Sequence, residues 1–258
     1  MALFISVVNH NHDEMISEND TLKNLAQKYT VIIKSNTEAK TCLKQYCQKS
    51  GIHLIQGSSF KGFGANNNEV FQVARNTFGM CDDDFFLVLN PDIEINTEAV
   101  AELLERHKKT AADISAINLF KDRAMIEYDY SIRHYPKLLN PLKALLRIPR
   151  NDLYDKAVIQ NPVKIDWAAG SFLLFKVSCY SSLKGFDEKY FMYFEDADIC
   201  TRANLKGHNV VYFPNIKAVH FASHQNRKLF SKHFIWYCGS SIRYHLKFKM
   251  FFSNKRPS

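Results

Sequence analysis

Short apolar runs alternate with longer mixed stretches along the first half of the chain. Leu3–Val8, Thr30–Lys34, Ile52–Ile55, Phe85–Leu89 and Ala112–Leu119 are too short for helices and rich in β-branched and aromatic side chains. The stretches between them, through Leu22 and Leu25 and over residues 38–49, 68–78 and 97–109, read as helices. Asn96 stands where the last of these needs its N-cap. Repeated strand–helix units predict an α/β fold whose sheet is mainly parallel, flanked by helices and of the nucleotide-binding type.

Phe85–Leu89 is the most informative of these runs. Five apolar residues suit a strand buried on both faces. Pro91 then stops it, because proline cannot donate to a sheet ladder and restricts the residue before it. Asn90 and Asp92 are thereby predicted at the carboxyl end of a central strand, where open α/β sheets place their ligands. Two oxygen-bearing side chains one residue apart suit a hard divalent cation that also holds a diphosphate. The alternative is a polar turn closing a strand.

Other runs also end in polar clusters, Asn9-His10-Asn11-His12 and Ser35-Asn36. A glycine-bearing loop spans 57–68 and leads into the helix predicted at 68–78. After Leu119 the rhythm breaks, and residues 120–162 carry tyrosines, prolines and charges without a period. That segment is expected to cross over the sheet and wall one side of the cleft. Order returns at 164–175, with two further short strands expected at Val210–Phe213 and Lys217–Phe221.

Composition adds little until charge is located. The 258 residues are 46% hydrophobic and 23% charged, enough for one sizeable core. No apolar run approaches the ~20 residues of a membrane span, and the amino terminus looks like a first strand, not a signal peptide. The six cysteines show no Cys-x-x-Cys pair, which fits reduced thiols in a cytoplasmic protein. The net charge of +8 is concentrated at one end. After Asp198 there is no acidic residue, while eleven of the 34 Lys and Arg lie there. A uniformly basic nucleic-acid binder would look different, so nucleic acid is not an expected partner. The division expected is a body over 1–226 and a basic, aromatic, amphipathic helical segment over 227–258. Such a segment suits the surface of an anionic membrane; the alternative is a C-terminal helix packed on the sheet with solvated lysines on its back.

A second constellation follows the aromatic segment at 191–194. At helical spacing Asp196, Ile199, Cys200 and Ala203 share one face, while Glu195, Asp198 and Arg202 share another. Asp196 is then the carboxylate aimed inward, in a first turn whose dipole favours ionisation, and Asp198 lies on the solvated face in an ordinary pair with Arg202. A buried carboxylate beside a cleft suits a general base; the alternative is an acidic helix-capping cluster. His220 and His224 are four apart, and an imidazole there would complete a metal site begun by Asp92, although packed histidines are commoner.

Six stretches in order carry a family likeness: Val7-Val8-Asn9-His10, Gly62-Phe-Gly-Ala-Asn-Asn-Asn68, Leu89-Asn-Pro-Asp-Ile93, Asp166-Trp-Ala-Ala-Gly-Ser-Phe172, Gly185 through Cys200, and Pro214 to His220. Together they resemble the GT-A-fold, family 2 glycosyltransferases, and in particular bacterial rhamnosyltransferases of O-antigen-type polysaccharide assembly. The resemblance implies an inverting transfer of a sugar from a nucleotide donor, dTDP-L-rhamnose, onto a polyprenyl-diphosphate-linked saccharide. It implies a divalent metal, Mg²⁺ or Mn²⁺, held by Asp92 and His220, with Asp196 as the base. Asn9, Ser35, Asn36, Gly64, Asn67 and Asn90 would serve the donor, and Asp166, Trp167, Gly170 and Glu195 the acceptor. The location implied is peripheral, on the cytoplasmic face of the inner membrane. Two positions depart from the family pattern. Asn90 opens the metal motif where Asp is usual, and Ser35 follows the second strand where many relatives have Asp. A non-catalytic sugar-nucleotide or glycan-binding module of the same fold is the competing reading. A nucleotidyltransferase is disfavoured, since the chain lacks a basic glycine-rich loop near its amino terminus.

Overall fold

The structure is a computed structural model and describes residues 1–57, 59–138, 152–221 and 232–253. Strands β1 (Leu3–Asn9), β2 (Thr30–Ser35), β3 (His53–Gln56) and β4 (Phe85–Leu89) alternate with helices α1 (Asp13–Glu18), α2 (Asp20–Ala26), α3 (Thr41–Ser50) and α4 (Phe63–Phe78). The short β5 (Ile93–Glu94), α5 (Thr97–Lys109) and β6 (Ile114–Phe120) follow. Beyond them come β7 (Ile132–Arg133), β8 (Val163–Lys164), β9 (Trp167–Ala168), β10 (Phe172–Lys176), α6 (Val177–Ser182), α7 (Glu195–Leu205) and β11 (Val210–His220). Helices α8 (Lys232–Lys247) and α9 (Lys249–Ser253) close the described chain.

The main sheet runs β3-β2-β1-β4-β10-β6-β11-β5, with β8 on β11, and a separate ribbon pairs β7 with β9. β4 shows why the apolar run reads as it does. All five of its residues are buried, and alternate side chains enter different cores. Phe86 and Val88 share one core with Val70 and Phe71 of α4, Tyr180 of α6, Cys200 of α7 and Tyr244 of α8. Phe85, Leu87 and Leu89 join Leu22, Leu43, Val100 and Leu103 of α2, α3 and α5 on the other face. The result is three layers, with helices on both faces of the sheet.

The structure departs from the sequence reading in several places. The sheet is mixed, because β10 runs antiparallel to both β4 and β6. The two strands expected near the end are one, β11, with a register shift between Phe213 and Lys217 around Pro214. The glycine-bearing loop is already helix by Phe63. Gly62 is the N-cap, and Asn66 and Asn67 return their amides to the carbonyls of Gly62 and Phe63, at 3.0 Å each. These low-propensity residues are helical because their own side chains and a buried face compensate.

The C-terminal helix is packed on the body. Tyr244 is fully buried and its hydroxyl lies 2.7 Å from that of Thr201 on α7, while Ser240 Oγ donates to the Met192 carbonyl at 3.0 Å. His224 and the boundary expected at residue 227 lie outside the described residues.

Candidate active site

β4 ends in the turn at Asn90–Asp92, which the neighbouring strand holds in place. The Asn90 N–H donates to the Ser171 carbonyl at 2.8 Å, and the Asp92 carbonyl accepts from Phe221 N–H at 3.1 Å. β5 then pairs antiparallel with β11, which brings His220 opposite Ile93. As a result the Asp92 and His220 side chains converge, with Oδ1 3.5 Å from Nε2. Asp92 Oδ1 is buried and accepts no hydrogen bond. Such an orphaned carboxylate oxygen beside an imidazole fits a divalent cation. Among the described residues no cluster of three or more His, Cys, Asp or Glu closes a cage. A metal here would therefore complete its shell with diphosphate oxygens and water, the pattern usual for Mg²⁺.

The other nitrogen of His220 reveals a residue that sequence reasoning missed. Nδ1 lies 3.0 Å from Asp129 Oδ2. Asp129 Oδ1 in turn accepts from the Lys156 ammonium at 3.0 Å, and that ammonium also reaches Ser131 Oγ at 3.0 Å and the Leu119 carbonyl at 3.1 Å. Burial disfavours charge on His220, but the hydrogen bond to Asp129 and the nearby Asp92 carboxylate overcome it and raise its pKa to about 9. Asp129 is held down to about 2 against its burial, by His220, Lys156 and Ser131. This is the carboxylate–histidine arrangement that fixes ring orientation at metal sites. A metal binding at Nε2 would displace the proton carried there.

Asp196 lies in the first turn of α7. Phe194, in a left-handed conformation at φ 67°, turns the chain into the helix. Asp196 is half-buried, and its Oδ2 accepts from Gly170 N–H at 3.1 Å. A Cβ on Gly170 would stand 2.9 Å from the Phe63 ring and 3.7 Å from Asp196 Cβ, so only glycine lets the backbone come this close. Burial raises the Asp196 pKa, against the Gly170 and Ala197 amides and the charge of Arg133, which lower it. Desolvation thus outweighs those opposing contacts, and the ionised form that the first-turn position was expected to favour is disfavoured. Glu195 is buried and is pushed well above the usual carboxylate range, by burial first and then by the charge of Asp196.

The helical-face reading fails for the neighbouring carboxylates. Asp198 was expected on a solvated face, yet it is fully buried and lies 2.6 Å from both Arg202 Nε and Lys247 Nζ. α8 covers the side of α7 that looks like its outside. Glu195, assigned by the same reading to that outer face, is buried as well.

On the donor side Asn9 Nδ2 donates to Ser35 Oγ at 2.9 Å, and Asn36 N–H donates to the Asn9 carbonyl at 2.8 Å. Asn36, Thr37, Glu38, Gln56, Gly57, Ser59 and Phe60 line a cavity of about 400 Å³ beside them. Gly64 and Asn67 lie deeper. A Cβ on Gly64 would meet Phe186 Cβ at 2.8 Å, and Asn67, fully buried, takes the Ser6 hydroxyl at 2.7 Å. Both join α4 to its neighbours and offer a donor no surface.

On the other side Asp166 Oδ2 accepts from Tyr135 N–H at 3.0 Å, and Trp167 Nε1 donates to the His134 carbonyl at 2.8 Å. Arg133 stacks 5.4 Å above the Trp167 ring. This surface joins Arg133, His134 and Tyr135 of the irregular segment to Asp166 and Trp167 of the ordered stretch that follows it.

The sheet, with helices on both its faces and a carboxylate turn at a strand's carboxyl end, places the candidate site where open α/β folds bind their ligands. Residues 29–239 match the family described as Glycosyltransferase like family 2, and the chain belongs to that family. It is 35% identical to the rhamnosyltransferase WbbL of Escherichia coli K12, over 98% of this chain and 96% of that protein. It is 30% identical to the N-acetylglucosaminyl-diphospho-decaprenol L-rhamnosyltransferase of Mycobacterium tuberculosis, over 55% of this chain and 48% of that one. GalNAc-T7, solved with UDP, GalNAc and Mn²⁺, superposes with a TM-score of 0.63 at 13% identity, over 95% of this chain and 48% of that one. That likeness shows a shared GT-A-like fold. The protein is a rhamnosyltransferase-like family 2 glycosyltransferase.

Proposed function

We propose that this enzyme transfers L-rhamnose from dTDP-L-rhamnose, with inversion, to a polyprenyl-diphosphate-linked saccharide during O-antigen-type polysaccharide assembly. The observation that carries the reading is the short backbone link between the two carboxylate sites. Gly170 N–H binds Asp196, and the carbonyl of the next residue, Ser171, binds the Asn90 N–H that opens the Asp92 turn. A leaving group at Asp92 and an attacking hydroxyl at Asp196 would thus flank one reacting carbon.

Asp92 and His220 would hold a Mg²⁺ or Mn²⁺ ion. When bound, that ion neutralises charge on the departing nucleoside diphosphate. Asn90 supplies a neutral ligand in place of a second carboxylate, so the ion would depend on the donor for much of its shell. Asn36 and the adjoining cavity would take the nucleoside, with the fully buried Asn9 and Ser35 holding the Asn36 backbone from behind. Asp196 accepts the proton of the acceptor hydroxyl as its oxygen bonds to the anomeric carbon and the bond to the diphosphate breaks. Its pKa, raised by burial, makes it a stronger base than an ordinary aspartate. Trp167 and Arg133 form the acceptor wall. The M. tuberculosis relative, whose name specifies a decaprenol-linked acceptor, supports a lipid-linked substrate. Among the described residues no helix is long and apolar enough to cross a membrane. In this reading the enzyme meets that acceptor as a peripheral protein on the cytoplasmic face.

A panel of nucleotide sugars tests the donor. Calorimetry with and without Mn²⁺ should show metal-stimulated binding of dTDP-L-rhamnose in preference to UDP-sugars, lost in Asp92→Ala. Equal binding of all donors, or stimulation unchanged in that variant, overturns the assignment.

A further inference from the structure

Helix α8 buries one side and leaves the other bare. Inward lie Ser240, Ser241, Tyr244 and, after the helix, Phe248. Outward lie Ile235, Ile242 and Leu246, which are 65%, 57% and 69% exposed, and Met250 of α9 continues the stripe at 81%. Gly239, also exposed, falls on the same face. Isolated exposed apolar residues are ordinary, but a row of four on one side of two successive helices marks a contact surface.

Charge identifies what it contacts. Lys232, Arg243 and Lys249 are exposed beside the stripe, and no Asp or Glu occurs after Asp198. Lys247 belongs to the body, where it binds Asp187 at 2.8 Å and Asp198 at 2.6 Å. A protein partner matched to a purely cationic rim would need a dense acidic border, whereas an anionic bilayer offers that border and an apolar layer beneath it.

We propose that the outer face of α8 and α9 docks on an anionic lipid surface, Ile235, Ile242, Leu246 and Met250 entering the acyl boundary while Lys232, Arg243 and Lys249 meet headgroups. The inference deepens the proposed function and rests on it for its purpose, delivery of a lipid-linked acceptor. α8 contacts α7 directly through Tyr244 and Thr201, and α7 carries Asp196 in its first turn. Docking therefore places the base one helix layer from the bilayer. The helix is also tied to the donor side, because Trp236 lies 4.7 Å from the Phe191 ring and Phe191 lies 5.3 Å from Phe60 of the nucleoside cavity.

The test uses the full chain and vesicles of phosphatidylglycerol or of phosphatidylcholine. The wild type should float with the first and not the second, and high salt should weaken binding. The quadruple variant Ile235→Ser, Ile242→Ser, Leu246→Ser, Met250→Ser changes only exposed positions and should bind about a hundredfold more weakly or worse. Arg243→Gln with Lys249→Gln should weaken binding about fivefold per charge. The apolar variant should lose transfer to polyprenyl-linked acceptor and keep transfer to the same saccharide on a short water-soluble aglycone. Wild type that never floats, or a quadruple variant that floats equally well, overturns the docking surface while soluble-acceptor transfer still reports on the proposed reaction. A dimer in sedimentation that the quadruple variant abolishes, without vesicle binding, would assign the stripe to a second copy and overturn the proposal too.

Discussion

Replacing Asp129 by Asn leaves the shape of the site almost unchanged and removes the charge on which two buried cations depend. The Lys156 and Asp129 side chains are only 3% and 9% exposed, so the ammonium has no route to bulk water. Removing one partner of such a pair typically costs about 3–5 kcal/mol. Ser131 Oγ and the Leu119 carbonyl still accept from Lys156, which places the expected loss near the lower end, about 3 kcal/mol. His220 loses the carboxylate that sets its ring, and removing such a partner behind a metal-binding imidazole weakens metal affinity about 10–100-fold. Urea unfolding at constant m-value measures the first effect, and calorimetry of donor with Mn²⁺ the second. Adding Lys156→Met to Asp129→Asn removes the stranded charge and should recover about 1–3 kcal/mol while metal-stimulated binding stays weak. If Asp129→Asn unfolds within about 1 kcal/mol of wild type and binds donor with unchanged metal response, the network does not support the site as argued.

Asp198→Asn should destabilise the protein by about 2–3 kcal/mol, because Arg202 and Lys247 both lose their carboxylate; unfolding within a few tenths of wild type would contradict its burial. Asp196→Asn should reduce transfer about 10²–10⁴-fold with donor affinity nearly intact, measured by initial rates and calorimetry; wild-type rates would remove Asp196 from the mechanism. The base works deprotonated and its pKa is raised by burial, so activity is present above that pKa and is lost as pH falls through it. The acid limb of kcat/KM should therefore lie above the ordinary Asp value of about 3.9, and a limb at or below it would contradict the desolvated setting.

What the sequence revealed and what it hid follow from how far apart the interacting residues lie. β4 and its turn were readable because an unbroken apolar run and a proline are local signals. Asn96 was equally local, and its Oδ1 accepts from Ala99 N–H at 2.7 Å. Residue type left His220 and His224 as equal candidates to meet Asp92, and only the family likeness singled out His220, 128 positions away in the chain. Asp129 gave no signal at all. It sits in an aperiodic segment, and its partners at positions 156 and 220 meet it only once β11 is laid beside β6. Asp198 was misread because helical periodicity describes one helix by itself. The layer that buries it, α8, begins 34 residues later at Lys232. Glycine and asparagine likewise concealed the first turn of α4, where side-chain hydrogen bonds replace intrinsic propensity.

The anomeric outcome of a single turnover tests the central claim most directly. Purified enzyme, dTDP-L-rhamnose, Mg²⁺ or Mn²⁺ and a saccharide diphosphate acceptor should yield one rhamnosylated product. Its NMR coupling and carbon shift should show the anomeric configuration opposite to that of the donor, and Asp196→Asn should form no product on the same timescale. Retention of the donor configuration, or wild-type product formation by Asp196→Asn, would contradict in-line displacement with Asp196 as base.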